Sequence, residues 1–133
     1  MALALAFESS CDETGVALVE DGRRVLAAPL YSQLSEHRPY GGIVPEYASR
    51  AHLEKFTPLL SEILREYPLK PGDLSYVAAT TRPGLVGALL VGYQTALACA
   101  RHFGVPLIGV HHLEAHLAAV SLSGTSLPYP HLG

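Results

Sequence analysis

Short unbroken apolar runs and longer runs of helical spacing follow one another along the chain, and their order predicts its elements. Residues 2–7, 15–19 and 25–31 read as strands, although the Leu/Ala content of the first leaves it open to a helical reading as well. Asp21-Gly22 between the second and third is a hairpin signal, since glycine accepts the positive φ of a tight turn. Residues 36–45 carry Pro39, Gly41, Gly42 and Pro45 and read as a loop. From about Pro45 to Glu66, Ala48, His52, Phe56, Leu59, Leu60, Ile63 and Tyr67 recur on one helical face, with Pro58 predicting a kink or a split. A strand at 76–80, an apolar helix at 84–102, a strand at 105–110, a helix at 112–120 and a loop at 121–133 complete the pattern.

Strands alternating with helices imply parallel pairs joined by right-handed crossovers, here added to an antiparallel meander. The expected fold is therefore α/β, a mixed five-stranded sheet in the order β-β-β-α-β-α-β-α. Its 133 residues suit a single domain, and 49% hydrophobic against 16% charged residues suffices for a buried core. A net charge of -3, with basic residues scattered along the chain, gives no global attraction to nucleic acid, so RNA contact needs a local patch or a partner's surface. The run 84–100 is at the lower limit for a membrane span and holds Tyr93 and Gln94; it reads as a buried soluble helix, with no membrane association expected. Cys11 and Cys99 follow neither metal nor disulfide spacing, which suits a reducing compartment.

Three segments carry chemistry. Glu8-Ser9-Ser10-Cys11-Asp12-Glu13-Thr14-Gly15 gathers hydroxyls, a thiol and carboxylates in one connection between strands. Such a set can hold phosphate oxygens or a metal, and it can equally be a polar turn. Residues 80–87 (Thr80-Thr81-Arg82-Pro83-Gly84-Leu85-Val86-Gly87) pass from strand to helix, where free amides favour an anion, but without a Walker signature the same residues make an ordinary connection. In the helix that follows, Gly84, Ala88, Gly92, Ala96 and Ala100 form a stripe of small residues. The stripe suits close packing on the chain's own sheet or on a second subunit, a homodimer through helix 84–102.

His112 and His116, four residues apart on a helix, project from one face and can share a metal ion, or can be two structural histidines. A third ligand is required, and only His131 follows in the sequence. In the H-E-x-x-H metalloproteases a glutamate directly follows the first histidine; here Leu113 does, so protease chemistry is a poor fit.

Together, Glu8 to Gly15, Tyr40-Gly-Gly-Ile-Val-Pro-Glu46, Ala48-Ser-Arg-Ala-His52, Pro83-Gly-Leu-Val-Gly-Ala-Leu-Leu-Val-Gly92 and Pro106-Leu-Ile-Gly-Val-His-His-Leu-Glu-Ala-His116 resemble the TsaD family, once labelled glycoproteases, of the actin-like ATPase superfamily. The resemblance implies a ribonuclease H-like lobe, the amino-terminal one of two, with residues 1–133 as that lobe and the second lobe absent. It implies transfer of threonylcarbamoyl from its adenylate to N6 of the adenosine 3′ to the anticodon, in the cytoplasm, with this chain a fragment inactive alone. An interaction module of the tRNA-modifying complex is the alternative. The resemblance assigns Asp12 and Glu13 to catalysis, Ser9, Ser10, Thr14 and Gly84 to the nucleotide (ATP or threonylcarbamoyl-adenylate), and His112 and His116 to Fe2+ or Zn2+. As partners it implies tRNA, a paralogous TsaB-type protein and an ATPase. Two positions depart from the family: Arg82 stands where glycine is common, and Ser9 where threonine is usual.

Overall fold

The computed structural model describes residues 2–122. In chain order the elements are β1 (Leu3–Glu8), β2 (Glu13–Glu20), β3 (Arg24–Ala27), β4 (Leu30–Ser32), α1 (Leu34–His37), a 3-10 turn (Arg38–Tyr40), α2 (Pro45–Glu66), β5 (Tyr76–Arg82), α3 (Val86–Phe103), β6 (Leu107–His111) and α4 (His112–Leu122). One sheet runs β3-β2-β1-β5-β6, with β4 also on β2. β1 pairs antiparallel with β2 and parallel with β5, and β6 continues the sheet in parallel.

The helical option for residues 2–7 disappears because β1 is the central strand, bonded on both edges. Its alternation then has a purpose: Leu5 and Phe7, with Val16, Leu18, Val77 and Ala79 of the neighbouring strands, face Phe56 and Ile63 of α2 and Ala96, Ala100 and Phe103 of α3. Phe7 and Phe56 meet edge to face at 5.6 Å.

Three expectations are corrected. The sheet has six strands, because the predicted strand 25–31 breaks at Ala28-Pro29. Pro29 has no amide to donate, and β2 changes partner there: Leu18 stands opposite Ala27, while Gly15 stands opposite Leu30. The loop 36–45 contains short helical turns, ended by Gly41 at φ 73°. Pro58 does not split α2, which is one helix of 22 residues with Pro58 on its exposed side, where the missing amide leaves the freed carbonyl to water. The hairpin turn is as predicted, with both Asp21 and Gly22 at positive φ. Among the described residues no helix is long and apolar enough to cross a membrane. His131 and the loop predicted at 123–133 lie outside the described residues.

Candidate functional site

Strands β1, β5 and β6 run parallel, so their carboxyl ends lie along one rim of the sheet, the edge where open α/β sheets place ligands. The β1–β2 connection starts there, and α4 begins directly after β6. An open cavity of about 340 Å³ lies between them. Glu8, Ser10, Asp12 and Glu13 line it together with His112 and His116. The acidic connection and the histidine pair, 100 residues apart in sequence, thus share one cleft.

Glu8 organises this cleft, although the sequence singles it out only as the first residue of the acidic segment. One carboxylate oxygen accepts the Ser10 amide at 2.6 Å; the other accepts the Thr80 hydroxyl at 2.5 Å and faces His112 Nδ1 at 3.2 Å. Burial alone would push its pKa up, but the hydrogen bonds from Ser10, Thr80 and His112 outweigh that and hold it below the ordinary carboxylate value. A lone carboxylate ending an apolar strand was the available signal, since it occupies the rim where that strand stops.

The two imidazoles meet edge to face, Nε2 to Nε2, at 3.0 Å. Donors about 2.05 Å from one zinc ion stand roughly 2.9–3.3 Å apart at angles from square to tetrahedral, so the pair fits two positions of a coordination shell. Among the described residues no group of three or more ligating side chains stands together, so these two supply part of a shell. Glu114, two residues past His112, is exposed and outside the cavity lining, which leaves the protease arrangement without its base.

The other candidates divide. Ser10 lines the cavity, with its hydroxyl 3.2 Å from His112 Nδ1. Ser9, only 1% exposed, donates instead to the Ala88 carbonyl of α3 at 2.7 Å. Thr14 is fully buried, its hydroxyl 2.7 Å from His52 Nδ1. The Ser9 and Thr14 hydroxyls therefore face the interior, where a nucleotide cannot reach them. Gly84 lies against the Ser10 backbone, where a Cβ would come within 2.5 Å of the Ser10 carbonyl, and the Leu85 amide donates to that carbonyl at 2.9 Å. Its lack of a side chain serves chain-to-chain packing. Arg82 ends β5 with its side chain exposed.

The small-residue stripe is also turned inward: Ala88, Gly92, Ala96 and Ala100 are buried. Gly92 packs over Ser9 and Phe56. A homodimer built on that stripe is therefore corrected; the outer face of α3 carries Val86, Leu90 and Tyr93 instead.

A buried layer holds the acidic connection from behind. His52 Nε2 donates to the Cys11 carbonyl at 3.0 Å, so its Nδ1 accepts from Thr14. Burial holds the imidazole below its ordinary pKa, which keeps it neutral in that role. The Gln33 amide donates to the Asp12 carbonyl at 2.8 Å, while the Gln33 side chain accepts from His37 Nε2, also at 2.8 Å. Burial and the neighbouring Asp12 and Glu8 charges push the Cys11 thiol up, away from nucleophilic thiolate.

An antiparallel unit followed by parallel strands, with a polar cleft at their carboxyl ends, is the arrangement of a ribonuclease H-like fold. YeaZ from Pseudomonas aeruginosa shares it, with a TM-score of 0.65 at 20% identity over 93% of this chain and 51% of that one. RuvC of T. thermophilus, solved with a Holliday junction substrate, shares it with a TM-score of 0.57 at 13% identity over 98% of this chain and 84% of that one. At such identities the likeness is one of fold. Sequence narrows the class: the model of the family "TsaD: tRNA N6-adenosine threonylcarbamoyltransferase" matches residues 24–133. The tRNA N6-adenosine threonylcarbamoyltransferase of Anaeromyxobacter dehalogenans is 50% identical over 133 residues, all of this chain and 40% of that protein. The Leptospira interrogans protein of the same name is 46% identical over 131 residues, 98% of this chain and 39% of that protein. The chain belongs to the TsaD family, and it spans about two fifths of the length of these relatives.

Proposed function

We propose that this chain forms one wall of the site at which threonylcarbamoyl passes from its adenylate to N6 of a tRNA adenosine 3′ to the anticodon. The observation that carries the reading is the shared cleft, which Asp12 and Glu13 line together with His112 and His116. Its volume of about 340 Å³ is at the lower end for a small-molecule site, as befits one wall of a larger cleft.

In this reading His112 and His116 hold Fe2+ or Zn2+ through Nε2. When bound, that ion supplies Lewis-acid polarisation of carbamoyl or phosphate oxygens. Asp12 and Glu13, acceptors in the same cleft, orient the N6 amine and take its proton as its nitrogen bonds the carbamoyl carbon, the bond from that carbon to the adenylate oxygen breaks and AMP leaves. Ser10 meets the nucleotide's polar oxygens, and its main chain is fixed by Glu8 and Leu85. The remaining length of the family's proteins provides the second lobe, the other metal donors and most nucleotide contacts. A paralogous TsaB-type protein and an ATPase are the partners, tRNA is the substrate, and the setting is cytoplasmic.

Reconstitution tests this. The chain alone is expected to bind ATP and Zn2+ weakly in calorimetry and to leave tRNA unmodified. Supplied with the missing carboxyl-terminal portion of the Anaeromyxobacter relative and with threonylcarbamoyl-adenylate, it should modify tRNA, and His112→Ala should abolish that activity. Modification that persists in a His112→Ala, His116→Ala double variant would remove the site from this cleft.

A further inference from the structure

We propose that Glu8 is a positioning residue: its carboxylate fixes His112 as the Nδ1–H tautomer and so turns the Nε2 lone pair toward the cavity. This inference rests on the reading of His112 and His116 as metal donors. Two groups compete for His112 Nδ1, both at 3.2 Å: the Glu8 carboxylate and the Ser10 hydroxyl. A hydroxyl donates or accepts and so permits either tautomer. An ionised carboxylate only accepts, so a bond to it requires the proton on Nδ1. The carboxylate therefore decides. Glu8 is itself held fast, since the Ser10 amide and the Thr80 hydroxyl occupy its two oxygens.

The consequence appears at the other ring nitrogen. With its proton on Nδ1, His112 presents a bare Nε2 to His116 Nε2, 3.0 Å away, and His116 donates across that gap in the metal-free chain. A cation entering there displaces that hydrogen bond and meets a His112 Nε2 that already carries no proton. A carboxylate behind a metal-binding histidine also raises the basicity of the ligating nitrogen. The strand end, the acidic connection, β5 and α4 thus converge on one carboxylate, whose effect reaches the cavity through His112.

The tautomer is read directly by long-range 1H–15N correlation of the His112 ring in the wild-type chain, at a pH where imidazole is neutral. The expected result is a proton on Nδ1. A proton on Nε2 instead overturns the proposal without any variant. In Glu8→Gln the side-chain amide can present an N–H to Nδ1, so the His112 tautomer should shift and Zn2+ affinity, measured by competition with a chromophoric chelator, should fall about 10–100-fold. Thr80→Val removes a hydrogen bond from the same Glu8 oxygen without touching His112, and should leave affinity within a few-fold of wild type. An equal loss in Thr80→Val, with the His112 tautomer unchanged in both variants, would mean general loosening and would overturn the proposal. Wild type that binds Zn2+ with Glu8→Gln binding as tightly overturns the Glu8 role alone. Wild type that shows the Nδ1 proton yet binds no Zn2+ overturns the metal reading, and the positioning role with it.

Discussion

Adding one methyl group at Gly92 puts a carbon 2.2 Å from the Ser9 hydroxyl oxygen, 3.2 Å from Ser9 Cβ and 3.6 Å from the Phe56 ring. The first distance is far inside van der Waals contact, so Ser9 must move. Its hydroxyl is bonded to the Ala88 carbonyl at 2.7 Å in a site that is 1% exposed, so moving it breaks a buried hydrogen bond. Overpacking and the lost bond together cost about 2–4 kcal/mol. Replacing glycine by alanine inside a helix returns about 0.5–1 kcal/mol. Gly92→Ala should therefore destabilise the chain by about 2 kcal/mol, read as a lower midpoint with an unchanged slope in urea unfolding followed by circular dichroism. The cause is checked by a double-mutant cycle. In a Ser9→Ala background the clashing oxygen is gone, and the same substitution should cost about 1–2 kcal/mol less. A Gly92→Ala cost that is identical in both backgrounds, or a stabilisation, refutes the argument that α3 is seated on Ser9.

Two further outcomes follow from the packing. His52 titrates below its ordinary value of 6.5 because burial disfavours the charged ring. Between the lowered folded value and about pH 6.5 the unfolded chain binds the extra proton, so stability falls as pH drops through that window, by at most about 1.4 kcal/mol per pH unit. His52→Gln should flatten this part of the profile, and an unchanged slope in urea unfolding from pH 7 to 5 would show that His52 is not its source. Leu90, 55% exposed on the outer face of α3, touches little of the core. Leu90→Gln should change stability by no more than about 0.5 kcal/mol, and a larger loss would mean that this face is covered in solution.

Short apolar runs and helical spacing placed α2, α3 and most strands, because each must bury a face and that need is written locally in the chain. It also singled out His112 and His116, since a four-residue separation on a helix fixes a shared face without outside help. It could not count the strands, because residues 25–31 read as one apolar run, and the break at Ala28-Pro29 separates two strands that both pair with β2. Nor could it sort the hydroxyls of the acidic connection. Ser9, Ser10 and Thr14 look alike in a string of letters, yet adjacent positions point to opposite sides, and only Ser10 reaches the cavity. The bonding roles of Glu8 and His52 are hidden for the same reason: their partners Thr80, His112, Thr14 and Cys11 stand at separations of 72, 104, 38 and 41 residues. Local sequence fixes what each segment can become, since a helix or strand satisfies its own backbone. Which polar atoms remain for chemistry is settled only when the sheet closes and uses the others to hold itself together.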